Sequence, residues 1–183
     1  MESVEVLKGR GPEDLRDLSL ELSAWMFFLG EKTKNIDEGR RLAEKMVTTG
    51  QALEKFRQGI RLQGGDERVV DEPERLPQAR FHADVLSPAA GHVNITNCEQ
   101  LGTALAMLGG GREKKEDKID HAVGLEFYKR IGDRVEKNEK LVTIHYNSDT
   151  KLAEAKSLIA SSYVVSESLP QEKRPLVRRI IGA

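Results

Sequence analysis

The chain has 183 residues, 32% of them charged and 38% hydrophobic, with a formal net charge of -1. That length supports one large domain or two small ones, each able to bury a core. The balanced charge excludes nucleic-acid binding driven by overall basicity and an acidic solvating chain. The longest apolar stretch, Ala24-Trp25-Met26-Phe27-Phe28-Leu29, falls far short of the roughly 20 residues that span a bilayer, so no membrane partner is expected.

The opening Met-Glu-Ser-Val-Glu-Val lacks the basic and apolar regions of a signal peptide. A single cysteine, Cys98, cannot form an internal disulfide, and a cytoplasmic location is expected. No His or Asn pattern accompanies Cys98, so it reads as a small buried hydrophobe and not as a nucleophile.

In chain order, Gly11-Pro12 sets a turn, with Pro12 suited to a first helical position and Glu13 and Asp14 placed at the positive end of the dipole. Leu15, Leu18, Leu22, Trp25, Met26 and Leu29 recur at spacings of three and four, which predicts one apolar helical stripe ended by Gly30. Asp37 is suited to cap a second helix carrying Leu42, Ala43, Met46 and Val47 and closed by Gly50. A third helix carries Leu53, Phe56 and Ile60 and stops at Gly64-Gly65. Residues 64–80 are polar and punctuated by Pro73 and Pro77, and a boundary is placed near Leu76.

Beyond it the apolar period shifts towards two. Phe81, Ala83 and Val85 alternate with polar neighbours, Pro88-Ala89-Ala90-Gly91 turns the chain, and His92 to Ile95 resumes an extended run. Thr96 or Asn97 caps a helix running to Leu108 and ended by Gly109. Ala122 to Tyr128 and Lys140 to Tyr146 read as strands around the Gly132-Asp133 turn, followed by a helix from about Thr150 to Ile159 and the β-prone Tyr163-Val164-Val165. Pro170 and Pro175 mark an irregular tail. The expectation is an α+β chain: an N-terminal helical segment over 1–76, a small α/β C-terminal domain with an antiparallel β-hairpin sandwich over 77–160, and a tail over 161–183.

Few residues read as chemistry. The histidines at 82, 92, 121 and 145 lack the spacing of a zinc site, and His145 reads as a hydrogen-bonded structural group. Asp133 and Glu136 read as turn chemistry, and Arg174, Arg178 and Arg179 as a solvated face. Gly109-Gly110-Gly111 with Arg112, Lys114 and Lys115 suggests an anion nest, but Glu113, Glu116 and Asp117 nearly cancel the charge, and a structural loop is favoured.

The ordered motifs Gly9-Arg10-Gly11-Pro12-Glu13-Asp14-Leu15, Leu62-Gln63-Gly64-Gly65-Asp66, Val69-Val70-Asp71, Leu108 to Asp117, Ile119-Asp120, Ala122-Val123-Gly124 and Ile144-His145-Tyr146-Asn147 resemble the C-terminal part of the pyrimidine-nucleoside or thymidine phosphorylases. The resemblance implies a pentosyltransferase that uses phosphate and a pyrimidine nucleoside, acts on no nucleic acid and sits at no membrane. It also implies that the phosphate loop (Lys-x-Ser-Thr-Gly-Gly) and the base-gripping Arg, Ser and Lys belong to an N-terminal portion. No Ser-Thr-Gly-Gly occurs here, and Met1 is expected to fall beyond those sites. No catalytic or substrate-binding residue is therefore assigned. Glu2 is the one position the resemblance offers as a ligand of the family's monovalent cation, usually potassium; no other cofactor is expected. The chain alone is expected to be inactive, and to form a homodimer or join a separate N-terminal part. A rival reading comes from Ser87 to Val93, Gly132 to Val135 and Leu141 to Ile144, which resemble half of a biotinyl or lipoyl carrier, although no Met-Lys-Met or Asp-Lys-Ala acceptor is present.

Overall fold

The computed structural model describes residues 2–112, 114–170 and 175–181. The sequence readings placed on Met1, Glu113 and Arg174 lie outside them. The chain divides into two compact units, Met1–Arg75 with Arg174–Ala183, and Leu76–Lys173.

The first unit is helical: α1 (Glu2–Leu7), α2 (Glu13–Leu29), α3 (Ile36–Thr48) and α4 (Gln51–Leu62), then two short 3₁₀ turns. Pro12 stands at the cap of α2, one position before its first helical residue. Asn35, not Asp37, caps α3. Its side-chain oxygen accepts from the Glu38 N–H at 2.9 Å, while Glu38 accepts from the Lys34 N–H at 3.0 Å. Asn35 and Glu38 stand three residues apart, as in a capping box, but Glu38 reaches back to the Lys34 N–H and not to that of the cap, and Asp37 is left inside the first turn.

Helices α2 and α3 meet through small residues. Leu20 and Ala24 are buried on α2, Gly39 and Ala43 on α3. A Cβ on Gly39 would lie 2.5 Å from the Ala24 carbonyl oxygen, so the two backbones touch where no larger residue fits. The stripe read from spacing is not the buried one. Leu22 is 56% exposed and Met26 and Leu29 are each 72% exposed. The C-terminal half of α2 is apolar nearly all round, and periodicity cannot choose a face there. Trp25 stays half-buried, donating to Glu21 at 3.0 Å, and Glu21 in turn accepts from Arg40.

The second unit holds β1 (Phe81–Leu86), β2 (Gly91–Thr96), α5 (Cys98–Leu105), β3 (Gly124–Phe127), β4 (Arg134–Val135), β5 (Lys140–Tyr146), α6 (Leu152–Ser161) and β6 (Tyr163–Ser166). Two three-stranded antiparallel sheets form, ordered β1-β5-β3 and β4-β2-β6. The α+β reading and the antiparallel pairing stand, and the connectivity is interleaved: no strand pairs with the next in sequence. The Ser87-to-Gly91 turn carries the chain from one sheet to the other. The run 163–166, expected to open a tail, is the strand that pairs with β2. Between the sheets and the two helices lies one core that includes Val85, Val93, Val135, Val142, Ile144 and Ile159, all essentially inaccessible.

Two local expectations are settled in detail. Asn97 is the cap of α5, accepting from the Gln100 N–H at 3.2 Å. Cys98, read as buried, is exposed, because it follows the cap directly and the core face of α5 is taken by Leu101 and Ala104. Replacing Gly39 with Val is expected to cost about 1–3 kcal/mol of unfolding free energy through overpacking at Ala24, measured by urea denaturation.

Candidate functional site

Downstream of α5 the chain makes a π-type turn over Ala106–Gly110. Gly109 adopts φ 95°, a left-handed conformation that side chains resist. A Cβ on Gly110 would sit 2.6 Å from Leu105 Cδ1, so a side chain there would have to displace the Leu105 side chain. The loop is then pinned from its far end. The Asp120 N–H donates to the Gly109 carbonyl at 2.8 Å, and the Asp120 carboxylate accepts from Asn147 Nδ2 at 2.7 Å and from the Ala122 N–H at 3.0 Å. Asn147 follows β5 and accepts in turn from the Arg80 N–H at 2.8 Å. One acid thus ties the glycine run to the ends of two paired strands.

The Asn147 amide, the Ala122 N–H and the charges of His121 and Arg80 hold the Asp120 carboxyl below the usual carboxylate range. Within the loop the Asp117 carboxylate accepts from the Lys114 N–H at 2.8 Å. This backbone donor, which an anion nest would need, is turned inward to an acid of the same loop. Arg112, Lys114 and Lys115 are exposed. Arg178 and Arg179 are exposed as well.

The face of the β1-β5-β3 sheet opposite the core carries a second group of polar side chains. The register sets His82 opposite His145 and Asp84 opposite Thr143, with Glu126 beside Thr143 on β3. The two imidazole rings stand edge to face, 4.6 Å between centroids. Glu126 Oε2 lies 3.6 Å from His145 Nε2 and accepts from the Tyr128 hydroxyl at 2.6 Å. Asp84 accepts from Thr143 at 2.7 Å and pairs with Lys140 at 3.0 Å, which together hold its carboxyl below the usual range. Spacing within one element could not reveal this group, because strand register alone brings residues 82, 126 and 145 together.

The remaining sequence candidates are dispersed. The Asp133 carboxylate accepts from the Arg130 N–H at 2.8 Å, and Glu136 pairs with Arg134 at 3.3 Å. Glu2 opens α1 with an exposed side chain. Glu5, the other acid of that helix, is engaged by Arg10 at 3.1 Å. One exposed carboxylate does not make a cage for a monovalent cation, so the residues present here do not fit that ion by themselves. Among the described residues no group of three or more His, Cys, Asp or Glu side chains is arranged to hold a metal ion.

A family profile described as "Pyrimidine nucleoside phosphorylase C-terminal domain" matches residues 92–166, from β2 to the end of β6. The interleaved second unit is therefore built as a phosphorylase C-terminal domain. The chain is 45% identical over 148 residues to the pyrimidine-nucleoside phosphorylase of Bacillus subtilis (strain 168), covering 81% of this chain. It is 42% identical over 172 residues to the enzyme of the same name from Staphylococcus aureus (strain USA300), covering 92% of this chain. The chain belongs to the pyrimidine-nucleoside phosphorylase family, through the C-terminal part of those proteins. It spans 34% and 40% of the lengths of these two curated relatives.

Asn147→Ala should lower the unfolding free energy by about 1 kcal/mol through the lost bond to the Arg80 N–H. The sign of its pH effect follows from Asp120. A carboxyl held low contributes stability above its unfolded value and loses it as pH falls through the lowered one. Without Asn147 that carboxyl moves back towards its ordinary value. Urea titrations at neutral and acidic pH should therefore show a smaller acid-induced loss in the variant than in the parent.

Proposed function

We propose that this chain supplies the C-terminal scaffold of a pyrimidine-nucleoside phosphorylase, an enzyme that transfers the pentosyl group of a pyrimidine nucleoside to phosphate. The chemistry requires an anion cradle for phosphate, charge stabilisation for an oxocarbenium-like sugar and donors to the departing base. The chain brings the folded domain that matches the family, and the loop opened by Gly109-Gly110-Gly111 is closed on Asp117 and Asp120 rather than open to an anion. Phosphate and base are gripped by groups on an N-terminal portion, so turnover belongs to the assembled enzyme. Any part Glu2 plays in holding a cation belongs to the same assembly. Its setting is the cytoplasm, in keeping with the exposed thiol of Cys98.

The observation that carries this reading is the agreement between two facts. The chain matches little more than a third of its relatives' length, and α2 presents Leu22, Met26 and Leu29 outward where a soluble helix normally places polar residues. The N-terminal portion of the enzyme is the partner we assign to that face.

With phosphate and thymidine or uridine, the purified chain is expected to turn over at least about 100-fold more slowly than a complete enzyme, because even one missing electrostatic donor costs that much. Turnover at the complete enzyme's rate rejects the reading. The apolar face makes a separate forecast. In sedimentation velocity the chain should associate and should bind a hydrophobic dye, and Leu22→Glu with Met26→Glu should suppress both. Adding a separately produced N-terminal portion should convert the associated species to a mixed complex. A compact monomer that binds no dye rules the exposed face out as a docking surface, and a stable dimer indifferent to the N-terminal portion assigns the face to a second copy.

A further inference from the structure

We propose that the Asn147–Ser148 peptide is a deamidation site held shut by the Asp120 carboxylate, and that its conversion irreversibly removes one tie on the glycine loop. This goes beyond phosphorolysis and does not rest on it, since the chemistry needs only this chain and water.

The chain has five asparagines, and the residue after each decides how readily its backbone nitrogen reaches the side-chain Cγ. Asn35 and Asn94 precede isoleucine, whose branched side chain crowds that approach, and Asn138 precedes a glutamate. Asn97 precedes Cys98, the first residue of α5, where the backbone is fixed as helix. Asn147 precedes Ser148, a small residue in irregular chain beyond the end of β5. Ser148 is exposed, and among the described residues its N–H has no hydrogen-bond partner.

Protection comes from the asparagine side. The Asn147 amide is held at both ends: Nδ2 donates to the Asp120 carboxylate at 2.7 Å, and Oδ1 accepts from the Arg80 N–H at 2.8 Å. Attack by the Ser148 nitrogen on Cγ requires the side chain to leave both partners. The bond to Asp120 is charge-assisted and so the stronger of the two. Once the amide is released, the Ser148 nitrogen loses its proton to hydroxide and bonds to Cγ. The Cγ–Nδ2 bond then breaks and ammonia leaves. Water opens the cyclic imide to aspartate or isoaspartate, so the net change is amide plus water to carboxylic acid plus ammonia. An aspartate there still accepts from the Arg80 N–H but has no proton for Asp120. Two carboxylates then face each other where a hydrogen bond stood. Asp120 keeps its N–H on the Gly109 carbonyl, while its carboxylate loses the anchor at the end of β5.

The purified chain is incubated in mildly alkaline buffer, and peptide mapping by mass spectrometry follows the amide-to-acid change at Asn147 beside a synthetic peptide of residues 143–151. The folded chain should convert at least about tenfold more slowly than the peptide. Asp120→Ala should raise the rate in the chain by about tenfold or more, the weight of a hydrogen bond to a charged group. An unchanged rate at Asn138 shows that this variant is folded. Without any variant, the aged chain separates by charge into intact and deamidated forms, and the Asp120 N–H should exchange faster with deuterium in the deamidated one. Conversion of Asn147 as fast in the chain as in the peptide overturns the proposal, as does Asp120→Ala at the parent's rate. Deamidation confined to Asn138, or equal exchange in the two forms, overturns it too. An Asn147 that never converts in the folded chain is a structural amide only, and the proposal falls. None of these readings involves turnover, so this proposal and the phosphorylase reading fail separately.

Discussion

Strand β5 is the element on which the second unit depends. It is bonded to β1 on one side and β3 on the other, and Leu141, Val142 and Ile144 along it are almost wholly inaccessible. Burying aliphatic side chains of this size is worth about 1.5–3 kcal/mol each, and together they anchor the core shared by both sheets and both helices. The same strand turns His145 and Thr143 to the opposite face, and its continuation ends at Asn147, which holds Asp120 and so the glycine loop. Core, polar face and loop are therefore not independent features: each takes its position from the register of a single strand.

The first unit is held differently. Helices α2 and α3 approach backbone to backbone at Ala24 and Gly39, with Leu20 buried on α2 while Leu22, Met26 and Leu29 are exposed. Those side chains are left outward. The ion pairs of this unit, such as Arg57 with Asp71 and Arg16 with Asp17, lie at the surface and add little to stability.

Much of this was legible in the sequence, and the failures have physical causes. Turns and helix ends were readable because glycine at a left-handed position and Asn before a helix act locally: Gly109, Gly132 and Asn97 stand where their chemistry demands. The family was legible from the order of short motifs, Leu108 to Asp117 and Ile144 to Asn147 among them. The buried face of α2 was not, since the run from Ala24 to Leu29 offers no polar side to exclude. Asp37 read as the cap of α3, yet Asn35 holds that place and Asp37 lies in the first turn, where an acid is also favourable. Cys98 was misjudged by residue type alone, although its place straight after a cap decides its exposure. Strand order was beyond local reading, and with it the meeting of His82, Glu126 and His145. Alternation assigns a residue to one side of a strand and says nothing of which strand lies alongside.

The interleaved connectivity also sets the order in which the chain can mature. Phe81–Leu86 and Gly91–Thr96 are made early, yet their ladders close only against residues 134–146 and 163–166. During synthesis both strands leave the ribosome with unpaired edges and must wait for most of the unit to emerge. Loop closure over such separations slows assembly, and exposed edges invite pairing with other nascent chains. The pairing order thus favours a late condensation around the last strand.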